Sequence, residues 1–104
     1  MDKDEYLILR RLPAGSMIEC AITCSAHTVK DYRDGKLYKE DNLLFRRGTQ
    51  LMKIKNIGAD MMMVKRGNDD YVVWCGSLIC DAIKIINALT DKNENIELSN
   101  YPPF

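Results

Sequence analysis

Four cysteines are the side chains in this sequence with the strongest potential for metal binding or nucleophilic chemistry. Cys20 and Cys24 are separated by three residues and Cys75 and Cys80 by four, so neither pair has the C-x2-C spacing of zinc knuckles. If residues 17–26 form one strand, the Cys20 and Cys24 thiols lie on one face but about 13 Å apart, too far to share a zinc ion. We therefore predict no metal and no cofactor, and four reduced cysteines of which Cys20 and Cys24 are buried.

His27 is the only histidine, which limits acid–base chemistry. Cys24 precedes it by three residues, and in a strand this offset places two side chains on opposite faces. A Cys-His nucleophile pair is therefore not expected, and His27 is predicted to lie on the surface. The glycines fit turns better than a phosphate-binding loop. These residues favour a function other than catalysis.

The sequence of 104 residues carries 15 basic and 15 acidic side chains, so its formal net charge is zero. This length suits a single domain over residues 1–104, and we expect the polar residues 91–104 to form a loosely ordered tail. Zero net charge removes the global driving force for generic nucleic-acid binding. No apolar run reaches the roughly 18 residues of a membrane span, and Met1–Glu5 lacks the basic start of a secretion signal. We expect a soluble cytoplasmic protein without membrane contact.

The segment from Leu43 to Cys75 predicts an antiparallel meander. Leu51–Ile57 and Met61–Val64 are joined by a short turn containing a glycine, and Met61–Val64 is joined to Tyr71–Trp74 by a turn with Gly67. Such turns tolerate positive φ at glycine. We therefore predict an α+β fold with mainly antiparallel β structure, a compact five- or six-stranded sheet or small barrel followed by one C-terminal amphipathic helix.

The remaining elements are predicted from shorter patterns. Glu5–Leu12 is interpreted as a strand in preference to a first helix, and Met17–Thr28 has the period-two pattern of a half-buried strand. Near the C-terminus, apolar residues at helical spacing predict a helix whose apolar stripe covers the sheet. The residues of this stripe are Leu78, Ile79, Ala82, Ile83, Ile86 and Leu89.

A winged helix-turn-helix is the alternative fold. Ser16 and Glu19 have capping-box spacing and would start a helix at Met17. Residues 25–37 then resemble the recognition-helix segment of small helix-turn-helix proteins of the excisionase type, with the later hairpins as a wing. The resemblance implies contacts with phosphates by Lys30, Arg33 and Lys36. Residues 17–26 are thus either strand or helix at this point.

A second resemblance rests on the sequence EDNLLFRRGTQLMKI, which is similar to the catalytic-strand segment of mono-ADP-ribosyltransferases. The segment Leu7–Ser16 also looks like the strand and turn that precede this segment in that family, so the resemblance covers about residues 6–57. It implies the β-rich half of a split-sheet fold and NAD-dependent ADP-ribosyl transfer. Asn42 stands where the catalytic glutamate of the family is expected, which leaves Glu40 as the weak catalytic candidate.

The leading functional hypothesis is a small non-enzymatic binding or inhibitory module that acts through protein contacts. Large or charged side chains that look exposed on the meander are its candidate anchors: Arg46, Arg47, Met62, Tyr71 and Trp74. The alternative is nucleic-acid binding, by the helix-turn-helix segment or by a basic sheet face with interleaved aromatics. That face would consist of Arg46, Arg47, Lys53, Lys55, Lys65 and Arg66.

Overall fold

Seven strands form one curled antiparallel sheet in the order β3-β2-β6-β5-β4-β1-β7. The computed structural model describes residues 3–37 and 43–89. Its elements are α1 (Lys3–Arg11), β1 (Met17–Cys20), β2 (Cys24–Thr28), α2 (Val29–Arg33), β3 (Leu43–Phe45), β4 (Gln50–Ile57), β5 (Met61–Arg66), β6 (Asp69–Trp74), a 3-10 turn (Cys75–Ser77), β7 (Leu78–Ile79) and α3 (residues 81–89). The α+β, mainly antiparallel fold class is confirmed, but the sheet formed by these described residues has seven strands and not five or six.

The central meander of β4, β5 and β6 agrees with the prediction. Gly58 and Gly67 adopt φ values of +55° and +61° in the two connecting turns. Residues with a Cβ rarely adopt positive φ values. Arg66 pairs with Asp69, so β5 and β6 extend further towards their connecting turn than the sequence predicts. A register shift in β4 between Lys53 and Lys55 marks a bulge, which re-aims side chains locally.

The segment predicted as a first strand is the helix α1, so that prediction is wrong. Tyr6 and Leu9 follow one another at helical spacing and both pack on the core, with Leu9 completely buried. Asp4 and Glu5 lie in the first turn, where carboxylates favour the helix dipole. The same residues also fit a short apolar strand, and tertiary contacts such as the burial of Leu9 favour the helix.

Residues 17–28 form two strands and not one, because the chain bends at residues 21–23 between β1 and β2. The capping box is not used, since the Ser16 hydroxyl donates to the carbonyl of Pro13. The predicted recognition-helix segment contains only the five-residue helix α2, whose amide of Asp31 donates to the Thr28 hydroxyl. The described chain is therefore not a winged helix-turn-helix.

The core lies on the inner face of the curled sheet. Residues paired across antiparallel strands share a face, and the inner face carries Ile18, Cys20, Cys24, Ala26, Phe45, Leu51, Met62, Val64, Val73 and Leu78. Leu9 of α1 and Ile83 of α3 close this face. His27 pairs with Val72 on the other face and is buried, so its predicted surface position is wrong.

The C-terminal helix covers the core with Ile83 alone. The first two residues of the predicted stripe belong to β7, and the helix itself runs over residues 81–89. Ile86 is 47% exposed and Leu89 is 57% exposed, so the predicted lid is wrong for its second half. Helix α1 supplies much of the missing cover. No helix among residues 3–37 and 43–89 is long and apolar enough to cross a membrane.

Candidate binding cleft

The predicted anchor residues do not form one surface. Met62 is completely buried in the core, so the exposure expected of it is wrong. Tyr71 is half-buried, and its ring packs nearly perpendicular to the ring of Phe45 with centroids 5.1 Å apart. Arg46 and Arg47 are exposed in the turn that follows β3. Trp74 remains partly exposed at the end of β6, where the structure forms a cleft.

The Trp74 cleft has a volume of about 430 Å³ and lies between α1 and the 3-10 turn. Its lining residues are Lys3, Tyr6, Asp60, Trp74, Cys75 and Gly76. Asp60 belongs to the turn between β4 and β5, and its carbonyl accepts a 2.8 Å hydrogen bond from the amide of Cys75. Pockets of this size, with aromatic walls and a few charged groups, are the usual form of a binding site.

Arg10 holds the α1 wall of the Trp74 cleft in place. Its guanidinium donates to the carbonyls of Gly58 and Met61, the latter at 3.0 Å. The same group lies 5.7 Å from the ring centroid of Tyr6, within the range of a cation–π contact. The Tyr6 hydroxyl in turn donates to the carbonyl of Ala59. Helix and hairpin turn are therefore joined by several polar contacts that orient the Tyr6 ring.

Lys53 and Asn56 cap the C-terminal end of α1. The last carbonyls of a helix have no partner within the helix, and here the Lys53 ammonium donates to those of Leu9 and Arg10 at 3.0 and 2.9 Å. The Asn56 amide also donates to the Arg10 carbonyl, at 2.7 Å. Lys53 faces inward opposite Val64 by ordinary alternation from Leu51, and the bulge that follows it brings Asn56 onto the same face. Burial lowers the pKa of Lys53, the Arg10 charge lowers it further, and Cys75 acts in the opposite direction.

Replacing Arg10 with leucine is expected to lower the free energy of unfolding by about 1–3 kcal/mol, because carbonyls at the hairpin turn lose a charged donor. The neighbouring exposed residue provides a matched control, since Arg11→Leu removes the same group outside this network. We expect the control to change stability by less than about 0.5 kcal/mol. Urea unfolding of both variants tests this prediction, and equal losses would show that Arg10 does not hold α1.

A second hollow of about 290 Å³ lies beside β1. Glu19 forms a salt bridge there with Lys84 of α3, and Arg47 also lines this hollow. This ion pair ties α3 to the sheet. Because Arg47 lines this hollow and Trp74 lines the cleft, these two predicted anchors serve different surfaces.

The predicted basic sheet face is broken up by its own contacts. Lys53 is buried under α1, and Lys65 lies 3.9 Å from the carboxylate of Asp70. The Arg66 guanidinium lies 5.1 Å from the ring centroid of Phe45. The weak catalytic candidate Glu40, like Asn42, lies outside the described residues. No observation on the described residues strengthens the nucleic-acid or ADP-ribosyltransferase hypotheses.

Cys20 and Cys24 lie much closer together in space than the sequence predicts. Cys20 and Cys24 are buried as predicted, but their sulfur atoms lie 3.5 Å apart because the chain turns between them. Burial and the hydrogen bond with Cys24 raise the pKa of Cys20 to about 12. The described residues contain no cluster of three or more histidine, cysteine or acidic side chains suited to a metal ion. The absence of metal thus stays a prediction, although its distance argument is wrong.

Tyr6, Arg10 and Asp60 were missed as site residues, because the contacts that join them span about half the chain. Only Trp74 carried a signal of its own, as an aromatic residue at the end of a strand. No protein-family model, curated protein or solved structure matches this chain. The function of the Trp74 cleft is therefore inferred from its geometry.

Proposed function

We propose that this chain is a small non-enzymatic binding module that acts through protein contacts, and that the Trp74 cleft receives a side chain of the partner. The observation that carries the proposal is the position of Trp74, half-buried in a cleft of about 430 Å³ beside the ring of Tyr6. Tryptophan and tyrosine are enriched among the few residues that dominate the binding energy of protein interfaces.

The lining of the cleft favours a segment of defined chemistry. Two aromatic rings suit an apolar side chain, while Asp60 and Lys3 stand on its walls as one acidic and one basic group. We infer that the partner presents an apolar residue with a basic residue nearby, so that the basic group meets Asp60 and can share the aromatic surface. A volume of about 430 Å³ leaves room for side chains and not for a folded domain.

The fixed walls of the cleft favour tight binding. Arg10 and Tyr6 tie α1 to the carbonyls of residues 58–61, so the cleft does not need to be ordered when a partner arrives. Immobilising a side chain on binding costs about 0.5–1.5 kcal/mol. A cleft that is already ordered avoids this cost on its own side.

Selection from a displayed library of random peptides tests the proposal. We expect the wild-type chain to enrich peptides with an apolar anchor and a neighbouring basic residue. Trp74→Ala should weaken their binding by at least about 30-fold, the effect of losing a hot-spot residue. Leu44→Ala is the matched control, because Leu44 is 58% exposed on the edge strand β3 and does not line the cleft.

Fluorescence anisotropy of labelled peptides gives the dissociation constants for the three proteins. The proposal predicts that Leu44→Ala binds like the wild type. Equal binding by Trp74→Ala and the wild type would contradict the proposal. Loss of binding in Leu44→Ala alone would show that the partner contacts β3 and not the Trp74 cleft.

A further inference from the structure

Cys20 ends β1 and Cys24 begins β2, and their sulfur atoms meet on the inner face at 3.5 Å. The curled sheet places these two strands at the corner where the chain passes from one to the other. We propose that Cys20 and Cys24 form a redox-active pair, in which a peroxide oxidant joins the two sulfur atoms as a disulfide and a thiol reductant restores them. This proposal is independent of the Trp74 cleft.

The geometry requires only a small movement. A disulfide bond is about 2.0 Å long, so the two sulfur atoms need only approach each other from 3.5 Å to that distance. The connecting residues 21–23 are the part of the corner that can absorb this movement, since Ile22 is 56% exposed and does not contribute to the core. Both thiols are buried, so a small neutral oxidant such as hydrogen peroxide reaches them more easily than a bulky disulfide reagent.

The two thiols have different roles in the reaction. Burial raises the pKa of both thiols, but the hydrogen bond between them lowers the pKa of Cys24. Cys24 therefore attacks first: its sulfur forms a bond to one peroxide oxygen, the O–O bond breaks, and Cys24 becomes a sulfenic acid. The Cys20 sulfur then attacks the Cys24 sulfur and the S–O bond breaks. In total, two thiols and one hydrogen peroxide give one disulfide and two water molecules.

The remaining cysteines provide an internal control. Cys75 and Cys80 have a similar separation in sequence and are also buried. The Cys75 sulfur lies 4.0 Å from the Arg10 guanidinium instead. Trypsin places the first pair in one peptide, residues 12–30, and the second pair in another, residues 67–84. Mass spectrometry can therefore follow each pair separately within the same sample.

The folded chain is treated with hydrogen peroxide over a pH series, quenched, alkylated and digested. We expect the peptide 12–30 to become lighter by two hydrogen atoms and to escape alkylation, while peptide 67–84 is alkylated at both cysteines. Dithiothreitol should restore the first peptide. The rate of disulfide formation should keep rising above about pH 9. The oxidation rate of an exposed thiol levels off there, because the pH has passed its pKa near 8.5.

Two variants complete the experiment. Cys20→Ala should leave Cys24 as a sulfenic acid that dimedone labels, with no disulfide. In Cys80→Ala, the Cys20 and Cys24 pair should oxidise at the wild-type rate. If a variant fails to fold, peptide mapping of the wild-type chain still decides the question. The proposal is overturned if peptide 12–30 stays alkylated at both cysteines after oxidation, or if the Cys75 and Cys80 pair oxidises first.

Discussion

Replacing Phe45 with alanine is expected to lower the free energy of unfolding by about 3–5 kcal/mol, a large share of the 5–15 kcal/mol typical of a domain. Phe45 is the only residue of the three-residue strand β3 that is buried, and it has no exposed surface. Its ring meets Tyr71 edge-on at 5.1 Å and lies below the Arg66 guanidinium. Truncation would open a cavity beneath β3 and remove both aromatic contacts.

The adjacent residue gives a matched control for this prediction. Leu44 lies on the same strand and is 58% exposed, so Leu44→Ala removes apolar surface that water already reaches. We expect a change within about 0.5 kcal/mol. Urea unfolding followed by circular dichroism compares the two variants. Similar losses for both would mean that β3 does not close the core in the way the burial of Phe45 indicates.

Raising the pH from about 8 to about 10.5 is expected to reduce stability by about 2 kcal/mol through Cys20 alone. Burial raises the pKa of this thiol from 9.0 to about 12 in the folded chain. Above pH 9 the unfolded chain therefore loses a proton that the folded chain retains, which favours unfolding. The contribution of Cys20 is fully present below pH 9 and is lost progressively as the pH rises towards 12.

Comparison of pH slopes isolates this effect from the packing that the thiol provides. Cys20→Ala is expected to be less stable at neutral pH, but to lose less stability between about pH 8 and pH 10.5 because no thiol remains to ionise at this position. Lys53 acts with the opposite sign, since its pKa is lowered in the folded chain, and it is present in both proteins. Chemical unfolding at each pH, with reductant present, measures both slopes. Parallel slopes would contradict the buried state of Cys20.

The meander could be predicted because its signals are local. Short strand-like runs and the turn glycines Gly58 and Gly67 predict two hairpins without reference to the rest of the chain. The bend at residues 21–23 gave no such signal, since Ala21, Ile22 and Thr23 continue a strand-like pattern without glycine or proline. The contact between Cys20 and Cys24 depends on that bend and was therefore missed.

The cleft shows the same limit at longer range. The sequence predicts Trp74 as an anchor because it is a large aromatic side chain that looks exposed on the meander. Its neighbours come from α1 and from the turn between β4 and β5. The apolar residues of α1 suit both a helix and a strand, so the sequence pattern predicts a strand there. The polar contacts of Arg10 with Gly58 and Met61 link residues about fifty positions apart. No local sequence pattern predicts a contact between residues so far apart in the chain.

Quenching of the Trp74 fluorescence tests the binding function of the cleft most directly, because Trp74 is the only tryptophan in the chain. A tryptophan-free peptide selected on the wild-type protein is added at saturation, and acrylamide quenching is measured with and without it. We predict that the peptide reduces the quenching constant severalfold, since its side chain fills the cleft and excludes acrylamide from the indole ring. An unchanged quenching constant, with binding of the same peptide verified by anisotropy, would show that the Trp74 cleft is not the contact surface.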